Sequence, residues 1–305
     1  MKRLIIVYNP RSARYAEVER KVILPSRKLK GWMVARFEVE HGSVETNAVR
    51  LAEIIRKGDL VLSAGGDGTA TMVLNALMMA DKRATMAVMG FGNFNDYVGT
   101  FGEMTLEEIV RRFEEGRMRD FYPVEIRLDG KHFRYFGMYC SVGLMAEATE
   151  VFERKKVRRK MGRVKNRLSY SGRKLAGWYL KNKWRKDFLP EKMTIGKKGV
   201  AKGTTDYVAL NGERMAGILE PQGWGEQSER FWSGTMRNRS LFRMFGKFLR
   251  ALEGGYPGSE TSGDLLKLGR GSRVFLHAEG EGLWLERVKE IEIRKTGESV
   301  RVIRK

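Results

Sequence analysis

The chain has 305 residues, 42 % of them apolar and 31 % charged, a balance that excludes a disordered or fibrous protein and suffices for one large domain or two. Lys and Arg number 58 against 37 Asp and Glu, a net charge of +21, which points to polyanionic partners: nucleic acid, an anionic membrane surface or phosphorylated ligands. The one cysteine, Cys140, excludes an intramolecular disulfide, and with three histidines it leaves little for a zinc site.

No apolar run approaches the roughly 20 residues that cross a bilayer. The opening run Leu4-Ile5-Ile6-Val7-Tyr8 is too short for a signal peptide, and Asn9-Pro10-Arg11-Ser12 ends it without a small-residue cleavage site. It is expected to be the first strand of a cytoplasmic protein. Further strands are expected at 33–39, 60–63 and 85–89, with helices at 13–24, 44–57, 70–80 and 106–115. Continuous apolar strands alternating with helices imply a Rossmann-like parallel sheet covered on both faces. From residue 122 the texture changes. Strands are expected at 122–128, 132–141, 206–210, 274–277 and 283–286, with Asp129-Gly130 as a hairpin turn and a helix at 240–252. The expected fold class is therefore α/β: a nucleotide-binding domain over 1–121, then a β-rich, sandwich-like domain over 122–290. Residues 291–305 alternate like strands, and their pattern does not assign them to either domain. Met72, Met78, Met79, Met86 and Met89 are expected to fill the core, as is Cys140; His41 and His132 have no evident partner.

One segment stands apart. Residues 154–174 carry eleven Lys or Arg and no acid, more than solubility requires. They are expected to dock on an anionic membrane surface, each charge contributing on the order of 1 kcal/mol. Trp178, Tyr179 and Trp184 follow, either at that interface or in a core.

The strongest chemical signal is Gly65-Gly66-Asp67-Gly68-Thr69, between a buried strand and a helix. Glycines at such a turn let the backbone approach a ligand, and the helix N-terminus adds roughly half a positive charge. The loop is expected to hold the phosphates of a nucleotide. Asp67 would stand where phosphate and a divalent cation meet, as metal ligand or proton acceptor, and Thr69 would cap the helix or hold a phosphate oxygen.

These residues resemble the bacterial diacylglycerol kinase-like lipid kinases, in the superfamily that also contains the NAD kinases. The likeness runs in order through Asn9-Pro10-Arg11-Ser12, the loop at 65–69, Gly90-Phe91-Gly92-Asn93-Phe94-Asn95-Asp96, and Ser141-Val142-Gly143-Leu144-Met145-Ala146-Glu147. It covers nearly the whole chain. What it implies is a two-domain, ATP-dependent kinase with its cleft between the domains. Asn9 and Ser12 would help bind nucleotide, the 65–69 loop would hold its phosphates, and Asn95 and Asp96 would line the cleft. Asn93 stands where the family has a nucleotide-binding Thr. The family's catalytic Asp-Gly-Glu aligns with Glu279-Gly280-Glu281, whose carboxylates would accept the hydroxyl proton while Mg²⁺ neutralises the γ-phosphoryl charge. The family's structural Mg²⁺ element would fall near 226–231, leaving Glu226 and Glu229 as metal candidates. The chain is a divergent member: Ala13 replaces the usual Gly, Phe94 adds bulk, and Glu279 replaces the usual Asp. The implied function is transfer of the γ-phosphoryl group of ATP to a diacylglycerol-like lipid hydroxyl, by a cytoplasmic protein held peripherally at the membrane. An NAD kinase-like enzyme or a degenerate nucleotide-binding pseudokinase is the alternative. No RNA-binding or helix-turn-helix signature is present, so no specific nucleic acid is expected.

Overall fold

The computed structural model describes residues 1–12, 14–80, 84–93, 95–153, 157, 170, 173–174, 177–178, 181–182, 188–190, 193–196, 198–199, 204–213, 215, 228–237, 258–269 and 272–305. These form two units: residues 1–123 with 297–305, and residues 124–296.

The first unit is built on six strands. Lys2–Tyr8, Trp32–Glu38, Leu60–Gly65 and Thr85–Gly90 run parallel, and Val300–Val302 joins them beside Thr85–Gly90 with Arg119–Phe121 antiparallel at the edge. The order places Lys2–Tyr8 between Trp32–Glu38 and Leu60–Gly65. Chain connections leave these two inner strands in opposite directions across the sheet, which makes their junction a topological switch point. Leu4, Ile5, Ile6, Val7, Leu60, Val61 and Leu62 are all 0 % exposed, as strands covered on both faces require. On one face Val18, Val22 and Ile23 pack with Leu106, Ile109 and Val110 of the helix Leu106–Glu114. The helices Val44–Ile54 and Asp67–Met79 pack on each other and bury Ala48, Leu51, Val73 and Leu77.

The first helical stretch departs from the expected plain helix. It runs Tyr15–Val18, then a π turn over Glu19–Ile23, then Leu24–Ser26. Pro25 has no N–H to give a preceding carbonyl, and the widened turn, in which the Leu24 N–H reaches the Glu19 carbonyl, accommodates it. The wider turn also lets the adjacent Val22 and Ile23 both face the core.

The second unit holds two antiparallel sheets, each of six strands among the described residues. One contains Lys131–Phe136, Val124–Leu128, Glu290–Lys295 and Gly263–Lys267; the other contains Phe231–Arg237, Thr204–Leu210, Tyr139–Gly143, Arg273–Ala278 and Glu281–Glu286. The Tyr207 hydroxyl donates to Asp264 at 2.8 Å, and Arg134 meets Glu281 at 2.8 Å, joining the sheets. Burial first, then Asp264, holds the Tyr207 hydroxyl well above its ordinary pKa. Cys140 is buried as expected, and that burial raises its thiol too. The helix Leu144–Glu153 leaves directly from Tyr139–Gly143.

Two sequence expectations need correction, and one point left open is decided. The run 132–141 is not one strand: Lys131–Phe136 and Tyr139–Gly143 belong to different sheets, parted at Gly137-Met138. Residues 291–305 divide, with Glu290–Lys295 in the second unit and Val300–Val302 in the first. His132 does have a partner, its Nδ1 lying 2.9 Å from the Glu125 carboxylate, which Arg294 also meets at 2.9 Å. The expected helix at 240–252 lies outside the described residues.

His277 is 1 % exposed, and neither ring nitrogen has a hydrogen-bond partner among the described residues. Burial, and then the Arg134 charge, push its pKa down from 6.5 to about 3. The unfolded chain therefore takes up this proton first, so the stability due to neutral His277 is complete above the unfolded value and is lost as pH falls toward the folded one. Thermal melts at matched salt should show a loss of about 2 kcal/mol on going from about pH 6.5 to about pH 5. His277→Leu should not show that loss. An equal acid response from the two proteins would count against this assignment.

Candidate functional site

Three loops leave the carboxyl ends of adjacent parallel strands in the first unit: 9–14 after Lys2–Tyr8, 65–69 after Leu60–Gly65, and 91–96 after Thr85–Gly90. The first two flank the switch point, where ligands of open α/β sheets bind.

The loops touch through glycine. A Cβ built on Gly92 would stand 2.6 Å from the Cα of Gly66, and one built on Gly66 would stand 3.1 Å from the Cα of Gly92. The Phe91 N–H donates to the Gly65 carbonyl at 2.7 Å, holding the loops edge to edge. Gly66 is the N-cap of the helix Asp67–Met79, and no side chain caps its first turn. Bare backbone and the positive end of a thirteen-residue helix are thus presented together.

Asp67 stands at the first position of that helix, where its carboxylate meets the neighbouring loop. Its carboxylate accepts from the Asn95 N–H at 3.0 Å and the Tyr97 N–H at 3.3 Å. It therefore caps the short helix Asp96–Phe101 and ties the 65–69 loop to the 91–96 loop. Burial, the largest influence, raises its pKa, and the backbone N–H groups around it pull the other way. Asn95 adopts φ 58°, a left-handed conformation that Asn tolerates. Its Oδ1 accepts from the Gly92 N–H at 2.7 Å and its Nδ2 donates to the Gly92 carbonyl at 3.3 Å, so Asn95 shapes the loop from within. Asp96 is 3 % exposed, and Thr71 links to the Tyr97 hydroxyl at 3.3 Å. Thr69 and Asn93 are half-buried in their loops.

Asn9 folds its own loop, its Oδ1 accepting from the Arg11 N–H at 2.9 Å while its carbonyl accepts from Ser12 at 3.0 Å. Ser12 Oγ lies 3.4 Å from the Arg14 N–H. Sequence reasoning missed Arg14. Its guanidinium holds Glu17 at 2.7 and 2.6 Å, reaches the Gly92 carbonyl at 3.4 Å, and lies 5.8 Å from the Phe91 ring centroid. That links the first loop to the third; a lone Arg two residues past Ser12 gives no such signal in sequence. Tyr8, at the end of the first strand, donates to Glu38 at 2.7 Å, and burial with that partner holds its pKa up to about 12. Ala13 and Phe94 lie outside the described residues.

In the second unit the other expected catalytic carboxylates are already engaged. Glu279 is 1 % exposed and accepts from three backbone N–H groups, those of Gly137, Met138 and Tyr139. Glu281 pairs with Arg134. Of the metal candidates, Glu229 is exposed and Glu226 lies outside the described residues; among the described residues no three His, Cys, Asp or Glu cluster as a metal site would need. Most of the basic stretch 154–174, with Tyr179 and Trp184, also lies outside them. Within it Arg173 and Lys174 are exposed, and Trp178 packs against Leu144 and Phe188.

Comparison with known proteins agrees with the loops. Residues 3–125, which include all three, match the family model of the diacylglycerol kinase catalytic domain. A diacylglycerol kinase of Bacillus subtilis (strain 168) is 31 % identical over 137 residues, covering 44 % of this chain and 44 % of that protein. One from Staphylococcus saprophyticus is 25 % identical over 142 residues, 43 % and 46 % of the two chains. The alignments thus span less than half the length of these relatives. A crystal structure of a diacylglycerol kinase from Bacillus anthracis str. Sterne superposes over 100 % of this chain and 97 % of that one, with a TM-score of 0.66 at 16 % identity, a likeness of fold. The NAD kinase alternative gains no support from these matches. Over residues 3–125, this chain is similar to the diacylglycerol kinase catalytic domain family.

Proposed function

We propose that the protein is an ATP-dependent lipid kinase that passes the γ-phosphoryl group to a lipid hydroxyl, of diacylglycerol or a related lipid, at a membrane surface. The observation that carries this reading is the meeting of Gly66 and Gly92 at the carboxyl edge of the parallel sheet, beside an uncapped helix N-terminus. A side chain at either glycine would strike the backbone of the other and part the two loops that are proposed to hold the phosphate chain. Asn9 and Ser12 border the same edge, and Arg14, ion-paired with Glu17, reaches it through the Gly92 carbonyl. Asn93, Asn95 and Asp96 complete the third wall.

Phosphoryl transfer passes through a loose transition state, so catalysis rests on positioning and charge more than on covalent help from the protein. The loops fit that role: they hold the phosphates still and keep bulk side chains away. The described residues do not fit a protein-held metal, since both Asp67 oxygens accept backbone N–H groups and no carboxylate cluster is present among them. Mg²⁺ is proposed only as the counter-ion that arrives on the nucleotide, and no step is assigned to it. No helix among the described residues is long and apolar enough to cross a membrane. Contact with anionic lipid is proposed through 154–174.

Purified protein incubated with Mg-ATP labelled at the γ-phosphoryl group and a panel of hydroxyl lipids in mixed micelles is expected to yield a labelled lipid. ATP binding without any labelled lipid across the panel would sink the kinase reading in favour of a nucleotide-binding relative.

A further inference from the structure

We infer that Glu279 is a positioning residue that holds the start of the strand Tyr139–Gly143, and is not the group that takes the proton from the acceptor hydroxyl. Its place in the fold is unusual. Arg273–Ala278 and Glu281–Glu286 are joined by the two-residue turn Glu279-Gly280, with φ 43° and 92°. A hairpin turn with positive φ at both positions favours Asn or Asp before Gly, and a left-handed Glu costs roughly 1 kcal/mol or more. Something must offset that cost, and the carboxylate supplies it.

The three successive N–H groups of Gly137, Met138 and Tyr139 all donate to Glu279, Gly137 and Tyr139 at 3.1 Å and Met138 closer. Consecutive N–H groups turned to one side make a concave seat for an anion, and hydrogen bonds to a charged group are among the stronger ones in a protein. The seat is held from its other side as well. The Gly137 carbonyl accepts from Asn211 Nδ2 at 2.7 Å, and the Met138 carbonyl accepts from the N–H groups of Asn211 and Gly212 at 2.7 and 2.9 Å. This is the place where the chain crosses from one sheet to the other. Tyr139–Gly143, which starts there, lies between Thr204–Leu210 and Arg273–Ala278, and the helix Leu144–Glu153 follows it without a break. The Tyr139 ring also stacks on His277, 5.8 Å between centroids. One carboxylate thus fixes where a central strand and its helix begin.

A proton acceptor must come within hydrogen-bond reach of the hydroxyl it serves. A carboxylate 1 % exposed and seated on three amides does not offer that reach. The added methylene that separates Glu from the Asp usual in the family lengthens the arm that spans from turn to seat. In a transfer governed by positioning, a group that sets a strand can still govern rate.

The kinetic part of the test rests on the proposed kinase activity; the exchange part does not. Glu279→Gln and Glu279→Asp are to be compared with wild type by amide hydrogen exchange over 136–141, by melting, and by the pH dependence of kcat with Mg-ATP and diacylglycerol. A positioning role predicts at least about tenfold faster exchange of the 137–139 amides and a raised KM for lipid. The acid limb of kcat should keep its wild-type midpoint. Unchanged exchange with a fall in kcat of about 10²-fold or more, or with loss of the acid limb, would overturn the inference. Should Glu279→Gln not fold, Asn211→Ser loosens the same seat while leaving the carboxylate in place. It should reproduce the faster exchange and the raised KM, and wild-type behaviour in both would equally overturn the proposal. If wild type phosphorylates no lipid, the kinase reading falls while the exchange data still decide the role of Glu279.

Discussion

Gly92→Ala is expected to weaken ATP binding by roughly 10²-fold and to destabilise the first unit by about 1–3 kcal/mol. The added Cβ would lie 2.6 Å from the Cα of Gly66 and 2.9 Å from Asn95 Oδ1. The first of these neighbours is backbone and cannot rotate away. The 65–69 and 91–96 loops would have to separate. Gly66 caps the helix Asp67–Met79, so that movement carries the helix N-terminus with it. Isothermal titration with ATP and a thermal melt would measure both effects. Gly99→Ala is the control: Gly99 lies within the helix Asp96–Phe101, and an added Cβ would meet nothing within 4 Å. It should stabilise by about 0.4–1 kcal/mol, because alanine has less freedom to lose on folding, and ATP affinity should stay at the wild-type value. Wild-type affinity in Gly92→Ala would show that the glycine contact does not shape the phosphate site.

The parallel half of the fold was legible because its signals are local. Leu4 to Val7 and Leu60 to Leu62 are continuous apolar runs, and only strands buried on both faces are written that way. What escaped depends on distant partners. The run 132–141 is apolar enough to be one strand, and nothing within it announces that Glu279 and Asn211 grip Gly137 and Met138 from far along the chain. Val300–Val302 could not be assigned because its partners, Thr85 and Met86 on one side and Arg119 to Phe121 on the other, are chosen by packing. The candidate site shows the same division. Glycine at 65, 66 and 68 marks a place where backbone meets ligand, and the structure puts backbone there. The carboxylates show what residue type leaves open: Asp67 and Glu279 carry the residue type of catalysis, and in the fold their oxygens meet backbone N–H groups. Residue type states which chemistry is possible; the folded path of the chain states which groups remain free for it.

Asp67→Asn will therefore act first on structure. The wild-type carboxylate accepts from the N–H groups of Asn95 and Tyr97 on two different oxygens. An Asn side chain has one acceptor and one donor group, so one of these N–H groups would face another donor. A buried donor left unpaired costs about 1–3 kcal/mol, and Asp67→Ala, which leaves both unpaired, should cost about 2–5 kcal/mol. The helix Asp96–Phe101 should show the damage, since its first turn loses its cap. Hydrogen exchange at 95–97 is expected to rise in both variants, and ATP is expected to protect the first unit from melting less than it protects wild type. A metal ligand or proton acceptor would behave otherwise: Asp67→Asn would melt as wild type, keep wild-type exchange at 95–97, bind ATP normally and transfer nothing. That outcome would return Asp67 to the chemical step. The expected outcome makes it the tie that keeps the second and third loops in one site.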